Sequence, residues 1–310
     1  MHYEYAVEPQ AIGSSWENFR YLIEKFGFDK GRLISQFPKS WFREVYNAAN
    51  ALSPIQKKMV EEALKQAKKN KVVRNGRTFD PALGSWLDNA LAQHNQKPFH
   101  AIIASQVPKN ETEALSIDML DESAPLMKVP HESNIPRDIE SITNALRGLL
   151  QFGSRLVFVD PYFDPFNQRQ RKLFREVLRL VGEVNPSAVC EFHYRNDTKK
   201  GLSNEILRRE AATLSSDIIP SGMKISFFCW CEKDGGEDFH ARYLLTDRGG
   251  IRVDAGFEPV GSQETTDFSI MDSDLVHRRL AAISPDASVY KLVGPAICIT
   301  SDGSVVSLED

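Results

Sequence analysis

The stretch FHARYLLTDRGGIRVD, Phe239 to Asp254, sets a histidine, an arginine and an aspartate on what reads as a β-hairpin. Arg248-Gly249-Gly250 between the two apolar runs is a turn signal, because tight hairpins need positive φ and glycine supplies it without steric cost. Side chains alternate along a strand, so His240, Arg242, Leu244 and Thr246 are expected on one face and Tyr243 and Leu245 on the other. The Cα atoms of His240 and Arg242 would then lie about 7 Å apart. An imidazole beside a guanidinium suits a phosphodiester: the guanidinium grips non-bridging oxygens in bidentate fashion while the imidazole attacks phosphorus or moves a proton. Asp247 has the opposite parity and reads as a turn or orienting residue.

The elements that would position this pair begin near Ile139. DIESITNALRGLL carries Ile139, Ile142, Leu146 and Leu149 on one side of a helix, and RLVFVDPYFDP is a short apolar run ending at Asp160-Pro161, as a strand buried on both faces would. A helix over NQRQRKLFREVLRLVGEV, a strand over SAVCEFHYR, a helix over SNEILRREAATL and a strand over KISFFCWCE follow, a βαβαβ order that implies a mostly parallel sheet. Ligands of such sheets bind outside the carboxyl ends of the strands, which makes Asp160, His193 and Arg195 candidates for the cleft that holds His240. His193 and Arg195 repeat the spacing of the first pair, but Lys200 stands where a second aspartate would.

Residues 1–130 are expected to form a mainly helical N-terminal domain, and 131–310 the α/β domain. SSWENFRYLIEKFGF has the apolar spacing of a helix, and SPIQKKMVEEALKQAKKNKVV is a second, begun by Ser53 and Pro54. FHAIIASQV reads as an isolated strand, and VPKNETEALSIDMLDESAPLMKVPHESNIPR as a linker containing the boundary. Two helical stretches carry cations at helical spacing, Lys65 to Arg77 and Lys172, Arg175 and Arg179; each suits a solvated face or a phosphate-tracking surface.

His240-Ala241-Arg242-Tyr243-Leu244-Leu245-Thr246-Asp247 has the H-x-K-x4-D spacing of the phospholipase D superfamily, with arginine for lysine, and the preceding βαβαβ order and FVDPYFDP resemble that superfamily over residues 135–300. The resemblance implies a phospholipase D-like mixed sheet flanked by helices and metal-independent phosphodiester cleavage without a cofactor. One histidine forms a phosphohistidine, a second protonates the leaving group, and basic side chains hold the phosphate. His240 would be nucleophile or acid, Arg242 the clamp and Asp247 the support. The family's glycine-serine element is out of register, leaving Gly256 or the displaced Gly261-Ser262, and so Ser262 enters as a binding candidate. A single motif copy implies a homodimer. The H-x-R variant is also similar to the phospholipase D-like domain of proteins with microtubule-interacting-and-trafficking modules, which binds phospholipid without cleaving it. A small domain joined to a nuclease-like one resembles bacterial antiphage defence components, with protein partners engaged through the N-terminal domain.

Composition bounds these readings. The net charge of -4 argues against indiscriminate polyanion binding. No apolar run reaches the roughly 18 residues of a membrane span and no signal peptide opens the chain, so a cytoplasmic protein acting on nucleic acid is expected. Four cysteines make no disulfide framework. Cys190-x-x-His193 with Cys229-x-Cys231 is poorly placed for zinc, because positions three apart on a strand face opposite ways.

Overall fold

A computed structural model describes residues 1–121, 123–196, 202–287 and 289–308. The chain divides into two compact units, His2–His131 and Glu132–Asp310 with Met1. Lys200 lies outside the described residues.

The first unit departs from the helical domain expected of it. Five parallel strands, β1 (Tyr3–Val7), β2 (Arg32–Ser35), β3 (Val72–Val73), β4 (Ala101–Ala104) and β5 (Ala114–Ser116), form one sheet in the order β3-β2-β1-β4-β5. Its helices are α1 (Pro9–Gly13), α2 (Trp16–Lys25), α3 (Trp41–Ala48), α4 (Pro54–Asn70) and α5 (Trp86–Gln96). Tyr5 and Val7 pack on one side with Phe19, Trp41 and Leu64, while Ala6 packs on the other with Phe37 and Ala90. Helices thus cover both faces, as a parallel sheet requires. FHAIIASQV is not isolated: β4 lies between β1 and β5. Strands of two to five residues are too short to show a period, whereas the helices between them show theirs clearly.

In the second unit the elements run β6 (Glu132–Arg137), α6 (Ile139–Phe152), β7 (Arg155–Val159), α7 (Gln168–Val184), β8 (Val189–Arg195), α8 (Asn204–Arg209), α9 (Ala211–Ile218) and β9 (Lys224–Glu232). Then come β10 (Tyr243–Thr246), β11 (Gly250–Val253), β12 (Gly261–Ile270), α10 (Ser273–Ala282), β13 (Tyr290–Leu292), β14 (Ala296–Thr300) and β15 (Val305–Leu308). The mixed sheet has the order β15-β14-β9-β8-β7-β10-β11-β12-β6, with β13 also on β9; β7, β8 and β9 are parallel at its centre. On one face Phe158, Phe192 and Phe227 stack, and Phe174 of α7 meets Phe158 edge-on with ring centres 5.4 Å apart. On the other, Val157, Val159, Trp230 and Leu245 pack with Val276 and Ala282 of α10. The alternation of strand side chains makes these two cores from one set of strands.

The hairpin is shorter than its sequence suggests. Pairing begins at Tyr243↔Arg252, so His240 and Arg242 precede the strand. Neither Gly249 nor Gly250 has positive φ. Thr246 Oγ1 instead closes the turn, accepting the N–H groups of Arg248 and Gly249 at 3.0 Å each. Gly250 is needed for space: a Cβ there would stand 2.9 Å from Val276 Cγ2 and 3.1 Å from Met271 Sδ, where the segment around α10 crosses the sheet.

Candidate functional site

β7, β8 and β9 end at the edge where β10 begins, because β10 pairs antiparallel with β7, Tyr243 opposite Val159. This is the edge at which open α/β sheets hold ligands. Just past β7, Asp160 turns the chain: its Oδ1 accepts Tyr162 N–H at 2.9 Å and its carbonyl accepts Phe163 N–H at 3.0 Å. Aspartate before proline favours such a turn. Phe163 is buried against Phe192, and Tyr162 is left 45% exposed at the rim.

Two cations converge on that ring. Arg242 Cζ lies 5.1 Å and Arg195 Cζ 5.2 Å from the Tyr162 ring centre, both within cation–π range. Arg242 donates from Nη1 to the Asp254 carbonyl at 2.9 Å, and its Nε is 3.8 Å from Asp160 Oδ1. Burial raises the Asp160 carboxyl above its ordinary value, opposed by the Tyr162 N–H and the Arg242 charge. Arg195 Nη1 is 3.6 Å from Glu232 Oε1 and 3.7 Å from Asp238 Oδ1.

His240 is the accessible imidazole here, its side chain 66% exposed, with Nδ1 3.3 Å from Asp238 Oδ2. A carboxylate so placed orients the ring with Nδ1 toward Asp238 and turns Nε2 outward, to attack phosphorus as a lone pair or, when it carries a proton, to donate it to a leaving group. Asp238 and Tyr162 were missed by sequence reasoning, and Gly256 was named only as a remnant of the glycine-serine element. The D-x-H spacing of Asp238 and His240 was a usable signal. Tyr162 had none, since it gains its role from segments brought in from elsewhere in the chain.

The structure separates the other candidates from this group. His193 shares the β8 face that packs under α10 and is fully buried, stacked on Phe228 at 4.5 Å. Its Nδ1 accepts the Trp230 indole N–H at 2.9 Å and its Nε2 lies 3.1 Å from Glu191 Oε2. Burial lowers its pKa, so the ring is neutral, with its proton on Nε2 directed to Glu191. It is a core residue and not a ligand contact.

Asp247 sits at the other end of β10, about 17 Å from Arg242 by strand rise. There its Oδ1 accepts the N–H groups of Ser154 at 2.6 Å and Arg155 at 3.3 Å, holding the start of β7. Its role is structural, so Asp247→Ala should lower stability by about 1 kcal/mol and leave phosphate affinity unchanged. Urea titration and phosphate binding on the same variant check this; weakened binding at unchanged stability would contradict the placement.

Ser262 is exposed in the irregular stretch between Gly261 and Thr265 and shares no hydrogen bond with Arg242, Arg195 or Asp160. Cys190 and Cys229 are buried, and burial pushes their thiols up to about 12 and about 11.

The two basic helical stretches are largely engaged inside their own units. Lys65 pairs with Glu61 and Glu62, Lys71 donates to the Phe26 carbonyl, and Arg77 is buried against Glu4 at 3.0 Å. Arg175 pairs with Asp217, and Arg179 with Glu176 and Glu183. Lys68, Lys69, Arg74 and Lys172 stay exposed.

No family model matches the chain, and no curated protein matches it. Solved structures do match, among them TrmBL2, described as an archaeal chromatin protein that shows a novel mode of DNA binding. It is 10% identical over 80% of this chain and 88% of its own, with a TM-score of 0.29, a likeness too slight to carry an argument about fold or function. Among the described residues no helix is long and apolar enough to cross a membrane.

Proposed function

We propose that the second unit is a metal-independent phosphodiesterase of phospholipase D type acting on nucleic acid, with His240 as nucleophile or acid and Arg242, joined by Arg195, as the phosphate clamp. The observation that carries this is the exposed His240–Asp238 pair at the same sheet edge as two arginines flanking an exposed tyrosine ring. Guanidinium groups beside an accessible aromatic ring combine phosphate binding with base stacking, the pairing by which proteins hold single strands. That combination favours nucleic acid over a lipid headgroup. The mechanism needs two imidazoles, and with His193 sealed in the core the second is supplied by His240 of another copy across a twofold axis.

The second reading is a phosphate-binding module without catalysis. It is favoured by the engagement of Arg242 with the Asp254 carbonyl and Asp160, and of Arg195 with Glu232 and Asp238. Cleavage of single- and double-stranded DNA and RNA in EDTA separates the two. Under the first reading His240→Ala lowers the rate by about 10²–10⁴-fold, and the active species sediments as a dimer. Equal background in both proteins, with oligonucleotide binding that Arg242→Ala abolishes, supports the module. A strict monomer that cleaves would overturn the two-imidazole mechanism.

A further inference from the structure

Beneath His240 lies a second feature that phosphate chemistry does not use. A cavity of about 150 Å³ opens between the start of β10 and the end of α10, with His240 in its wall. That volume admits a single aromatic ring, as an apolar cavity of similar size admits benzene. Unlike such a cavity, this one mixes rings with polar groups: Phe239, Tyr243 and Tyr290 line it with Arg279 and Glu237. Arg279 stands over the Tyr243 ring, 5.8 Å from its centre, and pairs with Glu237. The buried Nε of Arg279 has no hydrogen-bond partner among the described residues, an unmet donor in the cavity wall. Burial pushes the Tyr290 hydroxyl up to about 12, so it remains a neutral donor at physiological pH. Asp238 and His240 of the lining are the exposed pair of the sheet edge, and Asp238 is 3.7 Å from Arg195, which places the cavity beside that pair.

We propose that this cavity is a nucleobase pocket, seating the base next to the bound phosphate between aromatic walls, with Arg279 and Glu237 reading its polar edge. The proposal rests on the phosphodiester reading of the neighbouring edge. It makes the substrate a strand whose base is free to leave a stack, because a ring held in a duplex cannot enter a recess in a protein surface without being extruded.

The test compares binding of the four nucleoside 5′-monophosphates with binding of ribose 5-phosphate, which offers the same phosphate without a base. At least one nucleotide should bind about tenfold or more tightly than ribose 5-phosphate. Ala282→Leu, which puts a larger side chain into the lining, should reduce that nucleotide to the ribose 5-phosphate level while leaving ribose 5-phosphate unaffected. Should Ala282→Leu not fold, Arg279→Gln in the cavity wall is expected to lower the nucleotide affinity in the same selective way. Equal binding of nucleotides and ribose 5-phosphate, unchanged in either variant, overturns the base pocket and leaves the phosphate site standing. Failure of both ligands to bind removes the phosphodiester reading and the pocket with it.

Discussion

Gly256→Ala should destabilise the second unit by about 2–3 kcal/mol and weaken phosphate binding about tenfold, whereas Gly222→Ala should cost only about 1–2 kcal/mol and leave binding alone. Both glycines have positive φ, +83° and +79°, so alanine at either carries the same kind of backbone strain. They differ in surroundings. A Cβ at Gly256 would stand 3.0 Å from Arg242 Nε, 3.1 Å from Arg242 Cδ and 3.2 Å from Asp160 Oδ2, while at Gly222 it meets nothing within 4 Å. The loop after β11 therefore closes onto the clamp, and its backbone supplies the Asp254 carbonyl to Arg242 and the Phe257 N–H to Asp160. Under the proposed function, moving Arg242 weakens its charge-assisted contact to phosphate, and about 1.4 kcal/mol of that contact corresponds to the tenfold change. Urea midpoints and phosphate titrations of the two variants provide the comparison. Equal losses of stability, with binding intact in both, would show that the loop does not press on the clamp.

The second large effect is acid sensitivity, and it arises inside the sheet. Burial alone would push the Glu191 carboxyl up, but hydrogen bonds from His193 and Arg155 hold it down to about 2, against an ordinary 4.5; Arg155 engages both carboxylate oxygens at 2.7 Å. A depressed folded pKa means stability that is fully present above pH 4.5 and is lost as pH falls toward about 2, on the order of 3 kcal/mol in all. His193 adds to this from higher pH. Its folded pKa lies below the ordinary 6.5, so the unfolded chain takes up the proton first and stability starts to fall below pH 6.5. Glu191→Gln should be less stable at pH 7 and should flatten the dependence between pH 4.5 and 2. Chemical denaturation at pH 7, 5 and 3, read at the transition of the second unit, measures the difference. Parallel pH slopes for Glu191→Gln and the unaltered protein would exclude the buried carboxylate as the cause.

Local pattern carried the long helices and the order of the second unit. The capping box of Ser53 and Gln56 starts α4, Asn167 caps α7, and the continuous apolar runs ending at Val159 and Glu232 are the parallel strands β7 and β9. The sheet of the first unit was hidden, since Val72–Val73 is a strand only by virtue of pairing with Ile34 and Ser35.

The partners of each candidate were decided by tertiary structure alone. His193 and Arg195 stand on the same face of β8, yet His193 falls beneath α10 while Arg195 emerges past the strand end to meet Tyr162. Asp247, within the same eight-residue motif as Arg242, is carried by the length of β10 to the opposite end of the sheet. Gly250 is required by α10 and Met271 rather than by its own turn. Spacing along one segment fixes direction and face, but exposure and contact depend on which distant segment packs there, and that is set by long-range pairing and burial across the whole sheet.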